Sequence, residues 1–267
     1  MRKRLLISDM DNTLLDSRSQ IAPENLAAIR RHVEGGGLFT VATGRAPAAI
    51  RIFPELVPLI GLPIITGNGG QVCDLKTGEI YYSRVLPDEA DSLLAGAMEA
   101  FPQVGAVAYY GLDGFCIFQG NDHTAELIRR EGRPAVPVGL ADHPRPLNKM
   151  LFTEAHGYME GVREWMEPRI AGLGRLVFSE ANFLELLPLG VSKGDALDVL
   201  LERAGLDPRE VVAVGDAQND KEMLEHAGLG VAVDNADPAL KAIAGATVCD
   251  HDGPAIRECL ERFFFCQ

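Results

Sequence analysis

Positive charge and long apolar runs are both scarce in this chain of 267 residues. Lysine and arginine number 25 against 38 acidic residues, which gives a formal net charge of −13. A nucleic-acid backbone or an anionic membrane surface needs a basic face, so we expect neither as a partner. No stretch approaches the roughly 20 apolar residues of a membrane-spanning helix. An anionic small molecule is still a possible ligand, because a bound divalent metal can make the local electrostatic potential positive.

Cysteine is also sparse. The five cysteines are odd in number and scattered, without the paired spacing of a metal site or a disulfide framework. They are Cys73, Cys116, Cys249, Cys259 and Cys266. We expect reduced thiols in a soluble, cytoplasmic protein.

Short apolar runs alternate with helical patterns in the first and last thirds of the chain. The predicted strands are Leu5–Ile7, Leu38–Ala42, Pro63–Thr66, Val211–Val214, Gly230–Val233 and Thr247–Val248. The predicted helices are Pro23–Glu34, Pro47–Phe53, Ser192–Ala204, Asp220–Ala227, one beginning at Pro238 and Pro254–Phe264. This alternation predicts an α/β fold with a parallel sheet and helices on both faces.

The middle of the chain has a different pattern. Two pairs of apolar runs, each around a short polar turn, predict antiparallel hairpins. They are Val104–Tyr110 with Phe115–Gln119, and Leu173–Ser179 with Phe183–Leu187. Helical patterns near Asp88–Ala100, Asp122–Glu131 and Met159–Arg169 flank them. We therefore expect an α+β domain over residues 84–187, inserted into an α/β domain formed by residues 1–83 and 188–267.

Two aspartates directly follow the first predicted strand. Asp9 and Asp11 are two residues apart at an extended strand tip, so both carboxylates project to the same side. One can be a nucleophile while the other acts as acid and then base, which is the division that covalent phosphoryl transfer needs. The alternative is a turn with solvated or helix-capping aspartates, because Asp and Asn are ordinary turn residues.

Two further segments lie where predicted helices begin. Thr43 and Gly44 precede the helix at Pro47, where a hydroxyl and free backbone N–H groups suit a phosphate, although the threonine can simply cap the helix. Lys193 falls in the first turn of a helix that Ser192 caps, where the helix dipole disfavours a cation. A bound anion would remove this conflict, whereas a solvated surface lysine is the alternative.

A loop with two carboxylates and an amide follows the strand Val211–Val214. Asp216, Asn219 and Asp220 offer oxygen atoms, which suit Mg²⁺, a cation that takes one or two protein carboxylates. Alternatively, Asp220 only caps the following helix. Ligands of open α/β sheets bind at the carboxyl ends of the strands, so we expect these segments to lie together.

The four segments and their order along the chain resemble those of haloacid dehalogenase (HAD) superfamily phosphatases. The resemblance is to the Cof-like subfamily, type IIB, which has a large α/β cap. The resemblance covers the whole chain through Leu5–Leu15, Val41–Arg45, Thr66–Gly70, Gly190–Leu197, Val214–Leu224 and Gly230–Ala236. It implies a Rossmann-like parallel-sheet HAD core with an inserted α+β cap domain.

The resemblance also implies a role for each matching residue. Asp9 would be the nucleophile and a metal ligand, and Asp11 the general acid/base that also offers its backbone carbonyl to the metal. Asp216 would be the third metal contact, and the metal is expected to be Mg²⁺.

Phosphate binding is implied for Thr43, Gly44, Lys193 and Asn219. Asn219 and Asp220 would also support the metal shell, and Asp220 would orient Lys193.

The chain departs from the family at Asn12, where relatives usually have glycine. Asn tolerates left-handed backbone nearly alone among non-glycine residues, so the geometry can be kept. The segment Asn68-Gly69-Gly70 matches a family segment near the substrate, but can equally be only a tight turn.

The resemblance therefore implies a magnesium-dependent phosphomonoester hydrolase acting on a small organic phosphate, such as a sugar phosphate, through an aspartyl-phosphate. Its cap would set specificity, with Phe115–Gln119 and Glu180–Phe183 as candidate regions. A phosphomutase would use the same aspartates and retain its phosphoenzyme, and a non-catalytic phosphometabolite-binding protein is a third reading. A carbon–halogen hydrolase needs neither acid/base partner nor metal, so Asp11 and Asp216 count against it. The oligomeric state cannot be read from the sequence.

Overall fold

Two compact units make up the chain in the computed structural model, which describes residues 4–265. The first unit comprises the described parts of Met1–Gly44, Phe53–Tyr82 and Ser192–Gln267, and the second comprises Arg45–Ile52 and Ser83–Val191. Free thiols are found at Cys73, Cys116, Cys249 and Cys259, while Cys266 lies outside the described residues. Among residues 4–265, no helix combines the length and the apolar character that crossing a membrane requires.

Every predicted strand and helix is present, together with four strands that were not predicted. The strands are β1 (Leu5–Ser8), β2 (Leu38–Val41), β3 (Ile64–Thr66), β4 (Gln71–Cys73), β5 (Ile80–Ser83), β6 (Gly105–Tyr110), β7 (Gly114–Gln119), β8 (Val136–Pro137), β9 (Leu147–Thr153), β10 (Arg175–Glu180), β11 (Phe183–Leu187), β12 (Val211–Gly215), β13 (Leu229–Val233) and β14 (Ala246–Val248). The helices are α1 (Pro23–Glu34), α2 (Pro47–Arg51), α3 (Ala90–Ala100), α4 (Asp122–Glu131), α5 (His156–Met166), α6 (Lys193–Ala204), α7 (Lys221–His226), α8 (Pro238–Ile243) and α9 (Ala255–Leu260).

The first unit is built on a parallel sheet with the strand order β14-β13-β12-β1-β2. Each pairing in it is parallel, and β1 lies between β12 and β2. All four residues of β1 are buried, as expected of a strand whose two faces are covered. The predicted α/β fold with a parallel sheet is therefore confirmed, and the carboxyl ends of β1, β2 and β12 meet at one edge.

A second, three-stranded sheet in the order β3-β4-β5 was not predicted. The alternation suggested that β3 belongs to the parallel sheet. Instead, β3 pairs antiparallel with β4, and only Ile65 forms an isolated parallel bridge to Ala42. The reason is the short helical turn Gly67–Gly69, which returns the chain at once and leaves no room for a crossover helix.

This turn packs tightly against the start of α6. Gly69 has a left-handed φ of +97°, and a Cβ placed there would lie 2.0 Å from the carbonyl oxygen of Ser192. Only glycine fits both the conformation and the contact. The turn therefore fixes where α6 begins.

The second unit contains a six-stranded sheet in the order β10-β11-β9-β6-β7-β8. Both predicted hairpins, β6–β7 and β10–β11, are confirmed as antiparallel pairs. The central strand β9 was missed, although all seven of its residues are buried. Asn148 and Lys149 interrupt its apolar run, so its sequence lacks the signature of a buried strand.

Alternate residues of this sheet face two different environments. Met150 and Phe152 of β9 belong to an apolar cluster with residues of α3 and α5. Leu151 belongs to a separate cluster with Tyr109 and Phe183. The helices α3 and α5 therefore cover one face of the sheet.

Lys149 of β9 forms a buried ion pair with Glu185 of β11. Their side chains are each 2% exposed, and Nζ lies 2.9 Å from Oε2. The ammonium also lies 4.5 Å from the centre of the Tyr109 ring, a cation–π distance. Burying both charges is tolerated only because they compensate one another.

Residues 45–52 group with the second unit, which the sequence did not indicate. The amide of Ala48 donates to Asp113 Oδ1 over 2.7 Å, and Arg51 Nη1 lies 2.9 Å from Asp113 Oδ2. Arg45 Nη1 donates to the carbonyl oxygen of Arg130 over 3.2 Å. The domain limits at residues 84 and 187 remain a prediction.

We predict that Lys149→Met destabilises the protein by about 3–5 kcal/mol, because it leaves the Glu185 carboxylate buried without a partner. The double variant Lys149→Met with Glu185→Leu should recover most of this loss. Urea unfolding of the three proteins checks it, and a double variant as unstable as the single one would contradict it.

We predict that Gly69→Ala lowers the melting temperature more than Gly36→Ala. Both glycines have left-handed φ angles, +97° and +84°, so the backbone strain is similar. A Cβ at Gly36 meets nothing within 4 Å, whereas one at Gly69 collides with Ser192. Thermal unfolding of the pair measures the contact with α6, and equal losses would show that it is unimportant.

Candidate active site

The ends of three neighbouring strands carry predicted site residues. Asp9 directly follows β1, Thr43 lies two residues beyond β2, and Asp216 directly follows β12. The amide of Asp9 donates to the carbonyl oxygen of Val214 over 2.9 Å, which extends the pairing of β1 with β12. The register of the parallel sheet therefore delivers these side chains to one edge, as expected for open α/β sheets.

Lys193 brings a buried ammonium group to this edge. Ser192 caps α6, as predicted, because its Oγ accepts a hydrogen bond from the amide of Asp195 over 3.0 Å. Lys193 Nζ donates to Asp9 Oδ1 over 2.5 Å and to Asp220 Oδ1 over 2.6 Å. These two carboxylates offset the unfavourable position of a cation at a helix N-terminus.

Asp220 is held from both sides. Its Oδ1 accepts from Lys193, and its Oδ2 accepts from the backbone amides of Asp216 and Ala217 over 3.0 and 3.2 Å. Both carboxylate oxygens are thus engaged within the protein. This arrangement suits a residue that orients Lys193 and shapes the loop.

The site concentrates negative charge in a buried place. Carboxylate oxygens of Asp9, Asp216 and Asp220 all lie within 4.8 Å of one another. Burial raises the pKa of Asp9 to about 7. The positive charge of Lys193 lowers this pKa, while the negative charges of Asp220 and Asp11 raise it further. Burial and the charge of Asp9 likewise hold the pKa of Asp216 well above its usual range.

Burial and neighbouring charges act on the pKa of Lys193 in opposite directions. Burial alone would lower its pKa, but the neighbouring carboxylates of Asp220 and Asp9 outweigh this and raise it. The lysine is therefore a permanent cation. One ammonium group cannot neutralise three carboxylates, so the site favours an additional cation.

The donor set fits a divalent metal. Asp9 and Asp216 offer carboxylate oxygens, the ligands that Mg²⁺ prefers. Thr13 Oγ1 donates to Asp216 Oδ1 over 3.0 Å and so fixes the orientation of this carboxylate. Thr13 was not singled out from the sequence, although it belongs to the same segment as Asp9 and Asp11.

Asp11 lies half-buried on the loop after β1 and is outside the cluster of the three carboxylates. It is nevertheless close enough to raise the pKa of Asp9 by charge repulsion. Asn12, next to it, adopts a left-handed φ of 56°, as the sequence led us to expect. The Asn235 side chain donates to the Asn12 carbonyl oxygen over 2.8 Å and supports this turn.

Thr43 and Gly44 lie beside the turn that contains Asn68. The amide of Asn68 donates to the carbonyl oxygen of Thr43 over 3.0 Å, and a Cβ on Gly44 would lie 3.0 Å from Asn68 Nδ2. Asn219 Nδ2 donates to Asn68 Oδ1 over 3.0 Å. Asn68 thus joins two segments predicted to hold phosphate, which a tight turn alone does not explain.

One backbone N–H group near the Thr43 segment already has a partner. We expected free backbone N–H groups at the start of the following helix, α2. The helix has only five residues, and the amide of Ala48 donates to the Asp113 side chain. The aspartate lies 65 residues further along the chain, so no local pattern could reveal it.

Comparisons with known proteins support the resemblance seen in the motifs. Residues 6–260 match the family model for haloacid dehalogenase-like hydrolases. A protein of Serratia proteamaculans named HMP-PP phosphatase is 32% identical over 250 residues, which cover 90% of this chain and 87% of that protein.

Solved structures show the same fold. A haloacid dehalogenase-like hydrolase from Bacteroides thetaiotaomicron superposes with a TM-score of 0.85 and 28% identity, and the match covers 98% of this chain and 100% of the other. A sugar phosphatase of HAD subclass IIB gives a TM-score of 0.86 over 98% of this chain and 99% of the other. Its 22% identity is informative for the fold alone.

The family model spans nearly the whole chain, and the Serratia relative shares about a third of its residues. Both agree with the phosphatase motifs at the ends of β1, β2 and β12. These comparisons confirm the prediction from the motifs that the protein is a phosphatase of this superfamily. The chain therefore belongs to the haloacid dehalogenase-like hydrolase family.

Proposed function

We propose that this protein is a magnesium-dependent phosphomonoester hydrolase that transfers the phosphoryl group of a small organic phosphate to Asp9. The observation that carries the proposal is the buried Asp9 carboxylate, which Lys193 holds at 2.5 Å among further carboxylates. Such a group is oriented, close to a fixed cation and shielded from water. These are the conditions for an activated carboxylate nucleophile.

The first half of the reaction forms a covalent intermediate. The Asp9 carboxylate attacks phosphorus, an O–P bond forms, and the bond between phosphorus and the ester oxygen breaks. Asp11, protonated at this stage, gives its proton to the departing alkoxide. Lys193, Thr43 and Gly44 bind the oxygens of the transferring group.

The second half releases phosphate. The Asp11 carboxylate takes a proton from water, which attacks phosphorus and breaks the bond to Asp9. Asp9, Asp216 and the Asp11 carbonyl would hold Mg²⁺, whose positive charge would offset the repulsion between phosphate and carboxylates. Asp220 keeps Lys193 in place through both halves, since its two oxygens are already hydrogen-bonded.

Small organic phosphates are the proposed substrates. The Serratia relative is named HMP-PP phosphatase, which supports a small phosphorylated metabolite as the substrate. The residues that select the organic part are proposed to lie in Phe115–Gln119 and Glu180–Phe183. These segments coincide with β7 and with the β10–β11 turn of the second unit's sheet.

Asp9→Asn is expected to lower phosphate release by at least about 10³-fold, because the amide is a far weaker nucleophile than the carboxylate. The measurement is phosphate release from a panel of small phosphoesters with and without Mg²⁺. Asp74→Asn is the matched control, since Asp74 Oδ1 accepts from the turn amides of Lys76 and Thr77 and the amide variant retains that oxygen. Activity retained in Asp9→Asn would contradict the proposal.

Asp216→Asn is expected to have two opposite effects. It removes one charge from a crowded set of carboxylates, so the metal-free protein should melt at a higher temperature than the wild type. It also removes a metal ligand, so the rise in melting temperature that Mg²⁺ causes should shrink markedly. Thermal unfolding with Mg²⁺ or with EDTA measures both.

Asp234→Asn provides the comparison, because Asp234 is a largely exposed aspartate that pairs with Lys241. It should leave both melting temperatures nearly unchanged. If Asp216→Asn were stabilised by Mg²⁺ as strongly as the wild type, Asp216 would not be a metal ligand.

A further inference from the structure

Asn68 is a buried amide with an unused donor. The residue is 1% exposed, and its Nδ2 has no hydrogen-bond partner. Leaving a buried donor unpaired costs stability, so native structures rarely contain one without a reason. The neighbourhood of the amide indicates what the reason is.

Two segments of the proposed phosphate site converge on the turn that carries Asn68. Its backbone amide donates to the Thr43 carbonyl oxygen, and its side chain lies beside Gly44. The next residue, Gly69, is in contact with the backbone of Ser192 and Lys193. Asn68 therefore stands between the loop after β2 and the start of α6.

The other end of the amide is fixed by Asn219. Asn219 Nδ2 donates to Asn68 Oδ1 over 3.0 Å, which leaves Asn68 Nδ2 and Asn219 Oδ1 as buried atoms without partners. The pair thus offers one amide NH₂ group and one amide oxygen that have no partner. Phosphoryl oxygens only accept hydrogen bonds, so the donor on Asn68 matches them.

The backbone conformation also calls for an explanation. Asn68 has φ 54° and ψ 36°, between two glycines that also have positive φ. Glycine adopts this left-handed region more easily than asparagine does. The side chain is therefore what an asparagine adds at this position.

We propose that Asn68 Nδ2 donates a hydrogen bond to an oxygen of the bound phosphoryl group. This inference rests on the proposed function and adds a substrate-binding residue to it. The phosphoryl group then contacts Asn68 Nδ2 in addition to Thr43, Gly44 and Lys193. Asn219 orients the Asn68 amide through its hydrogen bond to Oδ1. A hydrogen bond to a charged oxygen is stronger than one between neutral groups.

The test measures binding of inorganic phosphate by calorimetry in the presence of Mg²⁺, for the wild type, Asn68→Gly, Asn219→Ala and the double variant. Glycine at position 68 keeps the left-handed backbone and removes only the side chain. We expect Asn68→Gly to weaken phosphate binding about tenfold or more, because a hydrogen bond to a charged group is lost. The same weakening should occur in the Asn219→Ala background.

The double variant distinguishes direct contact from an indirect effect. If Asn68 acted only by holding Asn219, its substitution would have no further effect once the Asn219 side chain is gone. Phosphate affinity that is unchanged by Asn68→Gly in the Asn219→Ala background would overturn the proposal.

Asn25→Ala is the control for a general loss of packing. Asn25 is also a buried asparagine whose Nδ2 has no partner, but its Oδ1 accepts from the amide of Arg257 in α9. This variant should melt earlier and still bind phosphate like the wild type. An equal loss of affinity in Asn25→Ala and Asn68→Gly would show that any buried amide has this effect, which overturns the proposal.

Phosphate release from the phosphoester panel distinguishes failure of the proposed role of Asn68 from failure of the proposed function. If the wild type hydrolyses esters and Asn68→Gly binds phosphate with wild-type affinity, the role of Asn68 is wrong and the proposed function stands. If the folded wild type neither releases nor binds phosphate with Mg²⁺ present, the proposed function fails and the role of Asn68 fails with it.

Discussion

The buried ammonium of Lys193 is the interaction on which the proposed site depends. It lies at the start of a helix and is fully enclosed, where a lone cation is strongly disfavoured. The carboxylates of Asp9 and Asp220 compensate this cost at 2.5 and 2.6 Å. In return, the lysine fixes the Asp9 carboxylate at the end of β1 and lets several acidic groups share one buried place. The surplus of negative charge is what a divalent cation would neutralise.

The parallel sheet explains why residues so far apart in sequence meet. Asp9, Thr43 and Asp216 each follow a strand, and the strands β1, β2 and β12 are neighbours in one parallel register. The sheet ends therefore deliver the carboxylates and the hydroxyl, while α6 delivers the lysine. The turn Gly67–Gly69 completes the arrangement, because it contacts both the loop after β2 and the start of α6. At Gly69 the contact is so close that any residue with a Cβ would collide with Ser192.

Local patterns predicted much of this architecture, since β1 and α1 have strong apolar periodicity and clear termini. Asn12 was also predictable, because few residue types adopt its conformation. The pattern failed at β9, where the buried Lys149 depends on Glu185 in another strand, and at Ala48, whose amide pairs with the distant Asp113. Thr13 and Asn68 likewise gain their significance from Asp216 and Asn219, which are more than 150 residues away. Partners at such distances leave no periodic trace in a sequence.

Trapping of the covalent intermediate tests the central claim most directly. Protein quenched in acid during turnover of a phosphoester can be reduced with borohydride, which converts an aspartyl-phosphate to homoserine, and then digested and mapped by mass spectrometry. The account predicts homoserine at position 9 and at no other aspartate, and none at position 9 in Asp9→Asn. Steady phosphate release without modification at Asp9, or with modification at a different aspartate, would contradict it.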